Sequence, residues 1–422
     1  MLQTFANAFK IPNLRRKILF TLLMIVIIRI GASIPVPGVD TTVLENLFNK
    51  FSEGLGMIDT LSGGSLKEMS LFAMGVLPYI NASIIMQLLT VAIPALEKLN
   101  KEEEGRKQIS KITRYLAIIL SAVQAAGITF ALRGQGILKD PTIISYTVAI
   151  LTMVAGTAIL IWIGDQITEK GIGNGISLII FINIIARLPM TMGQIWTAVG
   201  SLVIFVAIIA VFVAIIAFVV FVQDAERRVP VEYAKRVTGR RTYGGGANNI
   251  PIKVNLSGVM PIIFASSILQ FPTAIQQFIQ VSGANLPTTI SGFITAIATH
   301  KPIGMIIYAV LILFFAYFYT TIQFNPVEFA DNLKKSGGVI SGIRPGQPTV
   351  DFITRILNYI TLVGAAFLAV IALLPIVFGN MINMTSLGFT GTSILIAVGV
   401  ALDVLKQLEA NMVVRHYKGF LS

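Results

Sequence analysis

The sequence predicts an all-α polytopic membrane protein with ten transmembrane helices, and two observations support this fold class. First, 55% of the 422 residues are hydrophobic and only 12% are charged, which is more apolar surface than a water-soluble domain buries. Second, ten stretches reach the roughly 20 mostly apolar residues that a helix needs to cross a bilayer. In hydrocarbon, a helix satisfies all its backbone hydrogen bonds internally.

The ten predicted spans are distributed along the whole chain, and the fifth is the shortest. The segment from Ser201 to Val222 is apolar around its entire circumference, so it lacks the solvated face that a helix of a soluble bundle needs. The spans are predicted near residues 18–36, 72–93, 112–132, 143–163, 174–189, 198–222, 256–279, 303–324, 356–378 and 391–409.

Basic residues outside the spans predict the orientation. Most of the 32 Lys and Arg residues lie near the two termini and after the even-numbered spans, and such an excess marks the cytoplasmic side. Both termini are therefore expected in the cytoplasm, and Arg29 falls inside span one. The opposite side carries only Lys50, Lys67, Arg133, Lys139, Arg187 and Lys301.

The net charge of +12 has two interpretations. Topological bias and attraction to anionic lipid are the simpler one. However, the longest cytoplasmic loop, 223–255, is more basic than orientation requires, which suggests a surface that docks an acidic protein or ribosomal RNA. The basic residues of this loop are Arg227, Arg228, Lys235, Arg236, Arg240, Arg241 and Lys253.

The sequence offers little for enzymatic chemistry, and we expect no catalytic residue, metal or cofactor. His300 and His416 fall on opposite sides of the membrane, so they cannot share a metal ion or a proton relay. The chain has no cysteine and no G-x-x-x-x-G-K-[ST] phosphate loop. The run Gly171 to Gly175 follows a helix rather than a strand, which favours a tight turn over a nucleotide loop.

Charged residues are almost missing from the spans, whereas neutral polar residues are present. Asp403 lies near the cytoplasmic end of span ten. The alternative function is a secondary transporter with inverted repeats, but an ion-coupled transporter normally keeps a mid-membrane carboxylate, which argues against it. A third class, a membrane-embedded enzyme, would need clustered His, Asp or Glu at one interface, and the sequence offers no such cluster. The polar residues form either interhelical hydrogen bonds or a seam that opens. They are Asn81, Ser83, Gln87, Thr90, Gln124, Asn255, Ser266, Ser267 and Gln270.

A short amphipathic piece from Met57 to Leu66, interrupted by Gly63 and Gly64, follows span one and is too short to cross the membrane. It either lies on the membrane surface or folds back between the helices. Non-spanning backbone at membrane depth is tolerated only inside protein or beside a water-filled cavity. A re-entrant placement would therefore imply a pore.

Six regions of the chain resemble the bacterial SecY family, and their order and spacing make the resemblance specific. They cover essentially the whole sequence. The matching strings are Arg29-Ile-Gly with Ile34-Pro-Val-Pro-Gly38, Pro78-Tyr-Ile-Asn-Ala-Ser-Ile84, Gly171-Ile-Gly-Asn-Gly-Ile-Ser177, Ala330-Asp-Asn-Leu-Lys-Lys335, Gly342-Ile-Arg-Pro-Gly346 and Gly391-Thr-Ser393.

The resemblance implies the channel-forming subunit of a Sec protein translocase, of the SecY/Sec61-alpha family. Its fold would consist of two inverted, pseudo-symmetric halves around a central pore, residues 1–197 with spans one to five and residues 198–422 with spans six to ten. The chain would conduct unfolded secretory polypeptides and release membrane segments sideways. The constriction of the pore maps onto six isoleucines, Ile80, Ile84, Ile176, Ile180, Ile263 and Ile396.

The resemblance also implies a plug and a lateral gate. The plug is the re-entrant piece 57–66, which fills the external funnel at rest. At the gate, span two faces span seven. The plug residues are Met57, Ile58, Leu61, Gly63 and Gly64, and the polar gate residues are Gln87, Thr90, Gln124 and Asn255.

The partners implied by the resemblance are proteins and lipids, with no DNA. They are SecE-like and SecG-like membrane subunits, the SecA ATPase, the ribosome, precursors with signal sequences, and anionic lipids. SecA and the ribosome would dock on loops 223–255 and 325–355 at the bacterial plasma (inner) membrane. The docking residues are Arg240, Arg241, Lys253 and Arg344.

Overall fold

Long helices dominate the structure, which is a computed structural model of the chain. They confirm the predicted helical fold class. The structure describes residues 9, 11–40, 43, 62–131, 142–233, 236–238, 241–243, 247–281, 287–299, 301–381 and 385–416.

Each of the ten predicted spans lies largely on a helix. The helices of the first predicted half are α1 (Pro12–Ala32), α2 (Leu77–Ala92), α3 (Pro94–Lys101), α4 (Glu103–Ala131), α5 (Ile143–Lys170) and α6 (Gly175–Val199). Those of the second are α7 (Leu202–Gln223), α8 (Met260–Val281), α9 (Thr288–Ile297), α10 (Pro302–Gln323), α11 (Pro326–Lys335), α12 (Gln347–Met381) and α13 (Thr385–His416).

Length and hydropathy identify many of these helices as membrane-crossing. Within the described ranges, six helices are long and apolar enough to span a bilayer, or seven if the bent pair α2 and α3 counts as one. The first helix does not reach that standard because every 18-residue window of α1 includes Arg15, Arg16 and Lys17. The count of ten spans remains a prediction. The positions of the helices agree with it.

Prolines and glycines determine where several helices bend or end. The axis turns by 104° between α2 and α3, where Ile93 is extended before Pro94. The prediction of a short fifth span is wrong, because α6 continues through Pro189 for 25 residues and ends at Gly200, whose φ is 62°. Arg187, which the orientation argument counts among the basic residues of the outer side, therefore lies well inside a helix, 12 residues before its end.

One large apolar core joins both predicted halves of the chain. Its buried side chains come from α1, α2, α5 and α6 on one side and from α7, α8, α10, α12 and α13 on the other. Glycines permit close approach at the periphery of this core, since a Cβ at Gly156 would overlap the carbonyl oxygen of Leu71. The non-helical segment before α2 is thus packed tightly against α5.

The two predicted docking loops contain β strands, which were not predicted from the sequence. The described strands are β1 (Glu226–Tyr233), β2 (Arg236–Thr238), β3 (Arg241–Tyr243), β4 (Ala247–Lys253) and β5 (Gly338–Ile340). They form a three-stranded sheet of order β4-β1-β5 and a two-stranded sheet of β2 and β3.

The three-stranded sheet joins the two loops into one body. Val231 of β1 pairs with Ile340 of β5, and both side chains are buried with Ile353 and Leu357 of α12. Burial alternates along β1, as expected of a strand with one face on a core. The sheet therefore sits on the first turns of α12, with loop 223–255 supplying two strands and loop 325–355 the third.

Candidate pore and lateral gate

The six isoleucines predicted to line the pore belong to four helices. Ile80 and Ile84 stand one turn apart on α2, and Ile176 and Ile180 do the same on α6, so each pair shares a helix face. Ile263 lies on α8 and Ile396 on α13. Five of the six are buried and Ile176 is partly buried, and all six belong to the same apolar core.

The turn before α6 fixes the start of that helix, which carries Ile176 and Ile180. Asn174 caps α6, since its Oδ1 accepts hydrogen bonds from the backbone N–H of Ile176 (3.1 Å) and Ser177 (3.2 Å). The Thr168 hydroxyl of α5 accepts another from Gly175 at 2.8 Å. The structure confirms the tight turn, in which Gly173 has a φ of 85°.

The predicted plug lies only partly within the described residues. Met57, Ile58 and Leu61 fall outside them. Gly63 and Gly64 have φ values of 71° and 93°, and a Cβ on Gly63 would lie 2.8 Å from Oδ1 of Asn183 on α6. The glycine turn at the end of the piece is therefore pressed against α6, the helix that carries Ile176 and Ile180.

The predicted gate helices are in contact, since α8 packs against both α2 and α4. Gln87 of α2 forms a hydrogen bond across this region, accepting at Oε1 from the Tyr319 hydroxyl of α10. Its Nε2 donates to Ser83 Oγ at 3.1 Å, one turn earlier on α2. Both functional atoms of the Gln87 amide are thus engaged.

The other predicted gate residues bond locally. The Thr90 hydroxyl donates to the carbonyl of Met86 in its own helix at 2.6 Å. Asn255 donates from Nδ2 to the carbonyl of Gly258 at 3.0 Å, within the turn that precedes α8. Gln124 is half-buried on α4. Among the described hydrogen bonds, none joins the four predicted gate residues to one another.

Tyr319 contacts the predicted gate residue Gln87, although sequence reasoning did not point to it. A tyrosine within an apolar span is itself a signal, because a buried phenol usually finds a hydrogen-bond partner. The partner could not have been named, since Gln87 and Tyr319 are 232 residues apart in the chain.

The predicted docking residues lie on the sheet and on the turn that follows it. Arg240 falls outside the described residues, and Arg241 opens β3. Lys253 ends β4 with an exposed side chain. Arg344 is exposed between Gly342 and Gly346, which have φ values of 80° and 110°. Thr349 Oγ1 donates to the Arg344 carbonyl at 2.9 Å and braces this turn on α12.

Comparison with known proteins decides the family. The SecY family profile matches residues 70–405, which is more than half of the chain. The chain belongs to the SecY family. Protein translocase subunit SecY of Halalkalibacterium halodurans is 44% identical over 436 residues, covering all of both chains. That of Thermotoga maritima is 43% identical over 433 residues, covering all of this chain and 98% of the relative.

Solved structures agree with the SecY fold. The structure of a protein conducting channel superposes with a TM-score of 0.67 at 20% identity, covering 94% of this chain and 93% of that one. Sec61 in the canine ribosome-channel complex gives a TM-score of 0.64 at 18% identity, covering 94% and 93%. This chain therefore has the helical architecture of these channels.

The packing of Gly63 yields a test with a matched control. Gly63→Ala is expected to lower the unfolding temperature in detergent more than Gly38→Ala does. Both glycines have left-handed φ values, so each alanine adds about 1–2 kcal/mol of backbone strain. Only the Cβ at position 63 meets a neighbour, because nothing lies within 4 Å of the one at position 38. Equal unfolding temperatures would show that Gly63 is not pressed against Asn183.

Proposed function

We propose that this SecY family chain forms the channel of a protein translocase in the bacterial plasma membrane, with both termini in the cytoplasm. It conducts unfolded secretory polypeptides across the membrane and releases apolar segments sideways into the bilayer. The observation that carries the proposal is the convergence of six isoleucines, from α2, α6, α8 and α13, in one apolar core. The relatives of highest identity described above are protein translocase subunits.

The isoleucine ring acts as a seal rather than as a chemical site. A narrow throat lined by branched apolar side chains loses water readily, so hydrated ions meet a dewetted barrier. A polypeptide in transit displaces the side chains and fills the throat itself. The proposed pore lies between residues 1–197 and 198–422, and two helices of each half contribute to the ring.

The plug is the second barrier of the resting channel in this proposal. Its support in the described residues is the contact with α6, since a Cβ on Gly63 would lie 2.8 Å from Asn183 Oδ1 and one on Gly64 would lie 3.2 Å from Arg187 Nε. A structural neighbour with 19% identity is a SecY protein whose plug domain stabilises the closed channel and maintains a membrane seal. Residues 57–66 are the corresponding segment of this chain.

The lateral gate selects signals by partition into lipid. Apolar residues gain about 0.3–0.6 kcal/mol each on entering the membrane, so the sum over a signal sequence favours its exit between α2 and α8. In this proposal the polar residues of the seam are Gln87, Thr90, Gln124 and Asn255, and the seam between α2 and α8 is where the channel opens sideways.

The sheet and its neighbouring turns are the proposed docking surface for the driving partner. Lys253 and Arg344 are exposed there, which suits SecA or acidic ribosomal components. One structural neighbour is Sec61 in a ribosome-channel complex, and another is the yeast Ssh1 complex bound to the 80S ribosome. Small SecE-like and SecG-like subunits complete the membrane assembly in this proposal, and no step in it requires a cofactor or catalysis by this chain.

Reconstitution tests the function directly. The chain is placed in liposomes with a SecE-like subunit, SecA and ATP, and a secretory precursor is added outside. We expect part of the precursor to become protected from added protease, and to lose that protection when detergent opens the vesicles. Absence of protected precursor, beside an active control translocase, would contradict the proposed function.

Polar substitution of the ring tests the seal. Ile84→Asn or Ile180→Asn is expected to raise ion leakage through reconstituted vesicles, because an amide keeps water in the throat. Ile84→Leu keeps the throat apolar and should leave leakage low. Ile85→Asn is the positional control, since Ile85 is the exposed neighbour on α2. Equal leakage in Ile84→Asn and Ile85→Asn would remove Ile84 from the ring.

Charge reversal at Arg344 tests the docking surface. Arg344→Glu is expected to reduce SecA-driven transport about tenfold or more, because losing a charged interface contact typically costs 2–5 kcal/mol. Arg344→Lys should recover only part of the rate, since lysine cannot make a bidentate contact. Arg16→Glu is the matched control, an exposed arginine on α1 outside both proposed docking loops. The assignment is wrong if both glutamate variants transport equally.

A further inference from the structure

We propose that Tyr319 and Gln87 form a latch that holds the lateral gate closed. The latch is the hydrogen bond that the Tyr319 hydroxyl donates to Oε1 of Gln87. It joins α10 of the second predicted half to α2 of the first. The inference rests on the proposed function, because it assigns a role to this bond within the gate.

The bond crosses the seam along which the two halves must separate. Gln87 follows the proposed ring residue Ile84 by three positions on α2, and therefore lies close to the throat. Tyr319 packs on Phe264 of α8, with ring centroids 5.1 Å apart, and Phe264 directly follows the ring residue Ile263. The latch thus connects ring-bearing segments of the two halves.

Aromatic packing fixes the position of the Tyr319 hydroxyl. The Tyr319 ring lies 5.9 Å from that of Phe318 as well, and the side chain is only 5% exposed. A ring confined in this way cannot follow Gln87 when α2 moves. Separation of α2 from α8 and α10 therefore breaks the bond instead of stretching it.

The other polar bonds of α10 hold it within its own half. Tyr317 Oη donates to the carbonyl of Asn358 on α12 at 3.2 Å, and Thr361 Oγ1 donates to Thr320 Oγ1 at 3.3 Å. Residues 317 and 319 point to nearly opposite sides of the helix, because each residue turns it by about 100°. One side of α10 is anchored to α12, and Tyr319 faces α2.

Ser83 positions the acceptor on α2. Gln87 Nε2 donates to Ser83 Oγ one turn away, which directs the carbonyl oxygen of the amide toward Tyr319. An apolar signal sequence entering the seam has no side chain to replace the phenol as donor. The latch therefore opposes opening for every signal, and signals with short apolar cores are affected most.

The test uses the full chain with its membrane partners in liposomes. Because the sequence has no cysteine, Leu88→Cys on α2 and Ile268→Cys on α8 provide unique spin-label sites, both exposed. Tyr319→Phe keeps the ring and removes the donor. We expect the ratio of the population with an open gate to the population with a closed gate to rise about threefold, because an interhelical hydrogen bond in a membrane is typically worth about 0.6 kcal/mol. Transport of a precursor with a shortened apolar signal should rise similarly.

Two tyrosines of the same helix provide matched controls. Tyr317→Phe removes an interhelical hydrogen bond that stays within the second half. Tyr308→Phe removes a buried hydroxyl that has no hydrogen-bond partner among the described residues. Both should leave gate distances and signal stringency unchanged. Gln87→Leu should reproduce Tyr319→Phe, and the double variant should add nothing further, because both remove the same bond.

The possible outcomes distinguish failure of the latch from failure of the proposed function. Unchanged gate distances in Tyr319→Phe would overturn the latch, and so would effects of Tyr319→Phe and Gln87→Leu that simply add. An equal response of Tyr317→Phe would assign the effect to general loosening of α10 and would also overturn it. If the unsubstituted protein transports no precursor, the proposed function fails, and the distance measurement alone then decides whether the bond keeps α2 close to α8.

Discussion

Hydrocarbon offers no hydrogen-bond partner, and this constraint governs the structure from the helices to the seam between them. Backbone groups pair within long helices, and the hydroxyls of Thr90, Thr129 and Thr320 return to carbonyls of their own helices. At membrane depth, non-helical backbone is tolerated where protein surrounds it. The turns between residues 62 and 76 meet this condition, because many of their side chains are buried against neighbouring helices.

The same constraint separates the two kinds of secondary structure. A three-stranded open sheet leaves unpaired groups along its edges, which hydrocarbon does not tolerate. The sheet accordingly occurs in the hydrophilic segments after α7 and before α12, where water is available to its edges. It nevertheless has an apolar core of its own, centred on Val231, Ile340 and Ile353. A partner bound to either loop would therefore act on α12 through packed side chains.

The positions of the helices could be predicted from the sequence, because hydropathy over a bilayer thickness is a local property. The length of α6 could not, since Arg187 and Pro189 resemble a boundary, whereas packing within a helix bundle tolerates proline. The strand β1 was not predicted, because its alternation of apolar and polar residues extends over only a few positions around Val229 and Val231. Isoleucine is common in apolar spans, so residue type does not distinguish the six isoleucines. They were grouped on the basis of the family resemblance. The bond from Tyr319 to Gln87 depends on tertiary packing, which no local pattern contains.

The position of the isoleucines within the main core has a consequence for the closed state. The side chains proposed to seal the pore are also part of the packing that holds the halves together, so opening the pore must expose core surface. Apolar packing is non-directional and weakens gradually as surfaces part, whereas a hydrogen bond is lost steeply as its geometry degrades. A seam closed by packing alone would yield gradually to weak signals. A small number of directional bonds across it, such as that of Tyr319, gives the closed state a defined threshold at little cost in stability.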